Sequence, residues 1–370
     1  MRAGISFILL LLVSHHPASG AEPLTTTNQI ETVQKAQYDE LDRYLDKQIE
    51  AADRAREALW KRKFTSTTAY ERSIAPWRAK LADLLGGMSY KPTPLNPREE
   101  LVADLPGHKA YRVWLSAFEG VSAYGILLVP KTGQKHPALI CIHGMAGTPE
   151  GVCGLTEHSD YHHRFGFQAV ERGYVVFAPL DMNSGARRRW LDRKALLEGE
   201  RLQGIEQFKI ERVVDYLSSR PEVDRTRIGA YGISWGGRTT MYLAALDRRI
   251  KACAISGHFN DLIPKMVQPS TNYTAFIETS EDYAFFPKQF QLFNEVDIVS
   301  LICPRAVFIE QGRQDRVAHW RDSQRVFESV KKIYERLGIG DRAEYSIFDG
   351  PHEIHGAEAF AFLDRFLQPK

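Results

Sequence analysis

A chain of 370 residues with 44% hydrophobic and 25% charged side chains has an ordinary globular composition, enough for one large α/β domain with appendages or for two small domains. Its formal net charge of +2 generates no strong field, so neither nucleic acid nor any other polyanion is implied as a partner. The four cysteines, Cys141, Cys153, Cys253 and Cys303, are scattered and read as buried free thiols, and no C-x-x-C or H-E-x-x-H pattern indicates zinc.

In chain order, Arg2, the apolar run 5–13 and the small residues 18–21 have the layout of a secretory signal peptide over residues 1–20, too short to span a bilayer. A secreted or periplasmic location without a stable membrane anchor is expected. Residues 28–62 are polar and helix-favouring, with Leu41, Tyr44, Leu45, Ile49, Ala52 and Leu59 recurring at three and four, one apolar stripe on a solvated helix. Thr68 with Glu71 resembles a capping box, and the helix it opens should run through Trp77, Leu81 and Leu84 to Gly86-Gly87. Residues 21–97 therefore read as a helical N-terminal extension packed on a main domain of residues 98–370.

Past the proline-rich stretch 92–97, the runs 101–105, 111–117 and 121–130 are separated by Gly107 and Gly120 and predict an antiparallel meander. Strands then alternate with helices. The runs 137–142 and 174–179 are apolar throughout, as strands of a parallel sheet buried on both faces are, and 250–256, 305–310 and 343–348 continue the series. The stretch 259–300, with Tyr273, Phe276, Tyr283, Phe285 and Phe286, interrupts it as a lid-like insertion.

Within this pattern Gly232-Ile233-Ser234-Trp235-Gly236 sits between a strand-like run, 227–231, and a helix-like run, 238–246. A serine on so sharp a strand-to-helix turn takes a strained backbone angle, and glycines two residues to either side let strand and helix approach. A serine hydroxyl that is to attack needs a base, an acid to orient the base, and amides to hold the oxyanion. Asp315, just past the strand 305–310, is the expected acid, with Glu310 as its rival. His352, after the last strand and its turn, is the expected base, with His355 as the other candidate. The oxyanion should meet the backbone N–H of Trp235 and that of Met145, or else Gly144, in the loop after the first parallel strand. His143 precedes the serine in the chain and reads as a brace for that loop.

Together His143-Gly144, Gly232 to Gly237, the turn 312–315 and His352 resemble the α/β-hydrolase superfamily. Tyr161-His162-His163-Arg164-Phe165-Gly166, the strand 173–179 and Leu246-Asp247-Arg248-Arg249-Ile250-Lys251-Ala252 resemble its dienelactone-hydrolase and acetyl-xylan-esterase-like branch. The resemblance covers about residues 100 to 370. It implies an α/β-hydrolase fold: a mostly parallel doubly wound sheet with an antiparallel N-terminal meander and the helical extension in front. It also implies hydrolysis of carboxylic esters, on small-molecule or carbohydrate substrates, through an acyl-serine and without a cofactor. Dienelactone hydrolases proper carry cysteine where this chain has Ser234, so lactone opening is not expected. Trp235 occupies a place that is often smaller or polar, which favours short acyl groups such as acetyl.

Two clusters remain. Arg187, Arg188, Arg189 and Arg193 read as a solvated, salt-bridged helix face, the rival reading being a hold on an acidic acyl or sugar group. His158, His162 and His163 with Asp160 could suggest a metal, but they fall in the segment shared with the family, which needs none. A prolyl-oligopeptidase-like peptidase would need a β-propeller, which about 100 helical and meander residues cannot build. A noncatalytic binding protein on the same scaffold would have no use for an ordered triad.

Overall fold

Strands that are apolar on both faces are stable only where helices cover both sides of their sheet. A computed structural model, describing residues 25–87, 89–157, 160–279 and 281–368, has that arrangement. The expected signal peptide, 1–20, lies outside the described residues. Strands β1 (Arg98–Asp104), β2 (His108–Phe118), β3 (Val121–Pro130), β4 (His136–Ile142), β5 (Val175–Pro179), β6 (Val223–Ile233), β7 (Ile250–Ser256), β8 (Ala306–Gly312) and β9 (Ala343–Phe348) form one sheet in the order β1-β2-β3-β5-β4-β6-β7-β8-β9. β1, β2, β3 and β5 pair antiparallel, and from β5 to β9 every pairing is parallel. This is the α/β-hydrolase architecture expected, meander first.

The helices are α1 (Thr27–Trp60), α2 (Thr67–Leu84), α3 (Pro149–Val152), α4 (Phe165–Glu171), α5 (Ala186–Leu197), α6 (Leu202–Ser219), α7 (Trp235–Leu246), α8 (Leu262–Val267), α9 (Gln289–Leu292), α10 (Glu295–Ser300), α11 (Trp320–Arg336) and α12 (Ala357–Leu367). Successive side chains of a strand point to opposite faces, and β4 shows the consequence. Ala138, Ile140 and Ile142 enter a core with Ile74 and Leu81 of α2, Val213 and Leu217 of α6, and Met241 of α7. Leu139 and Cys141 enter the core on the other face with Phe165 of α4 and Phe360 and Leu363 of α12. All four cysteines are buried and unpaired.

Two compact units divide the chain between Ala51 and Ala52. In the first, Ile30, Val33, Leu41, Tyr44 and Leu45 of α1 are exposed. In the second, the end of α1 buries Arg56 and Trp60. Trp60 stacks on Trp77 of α2 with 4.2 Å between ring centroids, and Arg56 Nε donates to Asp297 Oδ2 at 2.6 Å. The cap of α2 differs from the Thr68 and Glu71 box predicted: Ser66 is the N-cap, its hydroxyl accepting from Ala69 N–H at 3.1 Å, and Glu71 pairs with Arg248 at 2.9 Å. Both hydroxyl residues fit the rule, and the tie is broken by which one adopts the extended backbone that a cap requires. Among the described residues no helix is long and apolar enough to cross a membrane.

Candidate active site

The chain leaves β4 for β5 on one side and returns to β6 on the other, so the carboxyl ends of β4 and β6 form the crevice where open α/β sheets take ligands. Ser234 stands at that point, between the last residue of β6 and the first of α7. Its backbone lies at φ 59°, ψ −124°, a conformation that costs a non-glycine residue about 1–3 kcal/mol and persists only where the surroundings enforce it. The enforcement is visible. Ser234 N–H donates to Ser256 O at 2.8 Å, at the end of β7. A Cβ on Gly232 would lie 2.3 Å from Gly236 O, and one on Gly236 would lie 2.2 Å from Ile142 O. No side chain fits at either position, which is the physical content of the glycine spacing.

Asp315 and His352 follow β8 and β9. Asp315 Oδ2 is 2.7 Å from His352 Nδ1 and accepts from Gln311 Nε2 at 2.8 Å, while Oδ1 accepts from Val317 N–H at 2.6 Å and Ala318 N–H at 3.3 Å. Four donors thus hold the carboxylate, whose side chain is 1% exposed against 20% for the imidazole. The two loops are stapled together by Arg313 N–H to Phe348 O at 2.9 Å and Gln314 N–H to Gly350 O at 3.0 Å. The rivals are elsewhere. Glu310 is buried, takes Tyr231 OH at 2.5 Å and Gly356 N–H at 3.2 Å, and has its pKa raised by burial. His355 is exposed and stacks on Phe348.

Between Ser234 Oγ and His352 no hydrogen bond is formed; the two approach through shared neighbours. Gly257 follows the Ser256 that holds Ser234 N–H, and a Cβ there would lie 2.9 Å from His352 Cε1. Tyr161 reaches both sides: its ring is 5.7 Å from that of His352, and its OH would be 2.4 Å from a Cβ on Gly144, which would also be 3.1 Å from Ser234 Cβ. Hydrogen bonds of this kind often close only around substrate.

The loop after β4 is braced by side chains that the sequence marked only as a possible metal cluster and a segment shared with the family. Gly144 N–H donates to His162 Nε2 at 2.8 Å, and His162 Nδ1 is 2.7 Å from Asp160 Oδ1. The acceptor role of Nε2 places the proton on Nδ1. Burial, only partly opposed by Asp160, lowers the His162 pKa to about 4, so the ring is neutral at neutral pH. With the Gly144 amide so occupied, the expected Met145 N–H has no hydrogen-bond acceptor among the described residues, and Tyr161 OH donates to Met145 O at 2.8 Å. His143 is buried, and its Nε2 accepts from Asp181 N–H at 3.1 Å while its Nδ1 lies 2.9 Å from Gly144 O, which also accepts from Asn183 Nδ2 at 3.1 Å. That is the bracing place expected of it. His163 meets Glu353 at 2.8 Å, so His162 and His163 serve different partners. His158 lies outside the described residues, among which no group of three or more His, Cys, Asp or Glu could hold a metal ion.

The Trp235 ring is buried, edge-on to Tyr283 at 5.0 Å, with Arg188 and Arg238 over it at 4.8 and 4.9 Å. The expectation of a solvated arginine face on α5 is therefore corrected in part: Arg187 and Arg193 are exposed, but Arg188 is 3% exposed, its guanidinium lying over the Tyr283 ring. The 259–300 stretch is anchored at both ends of the site. Thr274 N–H donates to Arg316 O at 2.7 Å and Lys265 Nζ to Val317 O at 2.6 Å beside the acid turn; Arg201 Nη2 donates to Phe285 O at 2.7 Å and Arg238 Nη2 to Ala284 O at 3.1 Å.

The acetyl xylan esterase (AXE1) family model matches residues 95–273. YtaP of Bacillus subtilis (strain 168), named on inference as a hydrolase, is 28% identical over 281 residues, 73% of this chain and 88% of its own. Among solved structures, an inferred acetyl xylan esterase of Bacteroides fragilis superposes with a TM-score of 0.62 at 18% identity, covering 82% of this chain and 86% of that one. The acetyl xylan esterase of Paenibacillus sp. R4 superposes with a TM-score of 0.56 at 19% identity, covering 83% and 98%.

Proposed function

We propose that this chain, which has the α/β-hydrolase fold and is similar to acetyl xylan esterases, is a carboxylic ester hydrolase: an exported serine esterase removing short acyl groups, acetyl first, from carbohydrate or small-molecule alcohols. Ser234 attacks the ester carbonyl as its proton passes to His352 Nε2, and Asp315 fixes the imidazole with that nitrogen free. The amides of Trp235 and Met145 take the oxyanion, the tetrahedral intermediate expels the alcohol with the proton from His352, and water activated by His352 releases the acid. The observation that carries this reading is the 2.7 Å pair of Asp315 and His352, buried on the acid side, on the rim where Ser234 is held at positive φ. The N-terminal pattern of residues 1–20 supports export, and the buried Trp235 ring beside the elbow supports a small acyl group.

The test is turnover of 4-nitrophenyl acetate and octanoate by the wild type and Ser234→Ala. Loss of the nucleophile should lower kcat on acetate by roughly three orders of magnitude or more, and the wild type should prefer acetate. Retention of activity within about threefold in Ser234→Ala would remove the serine from the mechanism, and a preference for octanoate would remove the short-acyl assignment.

A further inference from the structure

A guanidinium donates five N–H bonds and accepts none, so burying one without partners is costly, several kcal/mol where the charge stays uncompensated. Three arginines lie buried around Trp235, Tyr283 and Phe286. Arg238 donates from both atoms of its Nε and Nη2 edge, to Tyr242 OH and to Ala284 O, and Arg201 donates from Nη2 to Phe285 O while its Nε is unpartnered. Arg188 donates from neither atom of that edge. Its Nη1 donates to Met182 O, while Nε and Nη2 are both buried and both unpartnered. Those two atoms form the side-on fork, whose parallel N–H bonds match the two oxygens of a carboxylate.

The remaining contacts of Arg188 are with ring faces, Trp235 at 4.8 Å and Tyr283 at 4.5 Å between guanidinium carbon and ring centroid. Stacking stabilises the charge and fixes its plane, but it satisfies no in-plane N–H, so it leaves the fork preorganised rather than occupied. Burial raises the Asp181 pKa and the Arg188 charge opposes that rise; one Asp181 oxygen takes Thr239 Oγ1 at 2.8 Å and the other is unpartnered, and Asp181 forms no ion pair with Arg188. Trp235 directly follows Ser234, which puts the fork one side chain away from the elbow.

We propose that Arg188 anchors a subsite for an anionic group, a carboxylate carried by the ester substrate, bound bidentately beside the Trp235 ring. The proposal rests on the esterase reading for how that carboxylate arrives, and two sources share the chemistry: a uronic acid on the alcohol side, or a dicarboxylic acid esterified at one end on the acyl side. Because the fork is covered by Tyr283, its occupant enters as the 281–286 stretch moves aside.

The experiment compares wild type, Arg188→Met and Arg188→Lys on three substrate pairs of equal leaving group or sugar. These are 4-nitrophenyl acetate against mono-4-nitrophenyl succinate, 4-nitrophenyl acetate against butyrate as the neutral control for length, and a monoacetylated methyl glucuronoside against the monoacetylated methyl glucoside. Arg188→Met should lower kcat/KM by about 10–100-fold on the succinate or on the glucuronoside and by less than threefold on every neutral ester. Arg188→Lys, which keeps the charge and loses the fork, should recover only part of that loss. A loss confined to succinate places the carboxylate on the acyl side, and one confined to the glucuronoside places it on the alcohol side. Equal losses on charged and neutral esters, or no loss on either, overturn the proposal and return Arg188 to a structural role. Calorimetric titration of Ser234→Ala with sodium glucuronate and with sodium succinate, against glucose, needs no turnover. Binding of one anion that Arg188→Met abolishes would uphold the subsite even if Ser234→Ala had refuted the esterase mechanism, and absence of binding by both anions would overturn the subsite while leaving that mechanism intact.

Discussion

His162 is the residue on which the amide loop depends, since its Nε2 accepts the Gly144 N–H that would otherwise face the crevice with that of Met145. That acceptor exists only in the neutral ring. Burial lowers the pKa from about 6.5 to about 4, so the unfolded chain takes up a proton below pH 6.5 that the folded chain refuses until near pH 4. Stability is therefore full above pH 6.5 and declines as pH falls towards 4, by up to about 3 kcal/mol from this group. His162→Gln supplies a neutral acceptor that does not titrate, so the drop in melting temperature between pH 7 and pH 4.5 should be smaller than in the wild type; an unchanged drop would show that the ring is not what titrates. Ser234, Asp315 and His352 were legible in the sequence because each follows an apolar strand, and the position at a strand end is itself a statement about where the side chain lies. The roles of Asp160 and Tyr161 were not, because the local sequence marks the residues without showing what they brace: those roles arise from a loop folding back on Met145 and Gly144, 15 or so residues earlier. Arg188 was misread for the opposite reason, since four arginines in one short stretch look solvated until an aromatic from residue 283 covers one of them.

At the scale of elements, the site is a set of strand ends held in register, and one tight register is between β8 and the loop after β9. Gly312, the last residue of β8, has no room for a side chain: a Cβ would lie 2.5 Å from Gly350 O and 2.3 Å from Pro351 O, both backbone atoms of the loop that carries His352. Gly312→Ala should therefore push that loop away from the acid turn, lengthening the Asp315 to His352 hydrogen bond. A fall of about 10–100-fold in kcat, with a small change in KM, is expected, because a misplacement near 1 Å suffices for that loss. If kcat stays within threefold of wild type, the coupling of the two strand ends is looser than this geometry implies. The strands themselves were legible as apolar runs, and the antiparallel meander as shorter runs split by Gly107 and Gly120, because period and length encode burial directly. The start of α2 was not, since Ser66, Thr67 and Thr68 all offer a capping hydroxyl and only the backbone of Ser66 is extended there.

For the whole molecule, the question is how much of the chain the site needs. Among the described residues the buried hydrophobic clusters draw only on residues from Trp60 onward, and the second compact unit begins at Ala52. The last turns of α1 belong to that unit: Trp60 is 1% exposed and stacked on Trp77, with Phe293 edge-on at 5.7 Å, and Arg56 is paired with Asp297. A cut after Ala51 and a cut after Lys61 therefore differ by ten residues and by a structural layer. Removing residues 1–51 should leave the urea midpoint and ester turnover close to those of the full chain. Removing 1–61 exposes the Trp77 face, leaves Asp297 with Arg62 alone, and should cost at least about 3–5 kcal/mol, the range for losing one large buried aromatic. Urea unfolding of the two truncations decides it. An equal loss from both would mean that the first 51 residues contribute to the stability of the sheet, and no loss from either would mean that Trp77 and Phe293 repack without the indole between them.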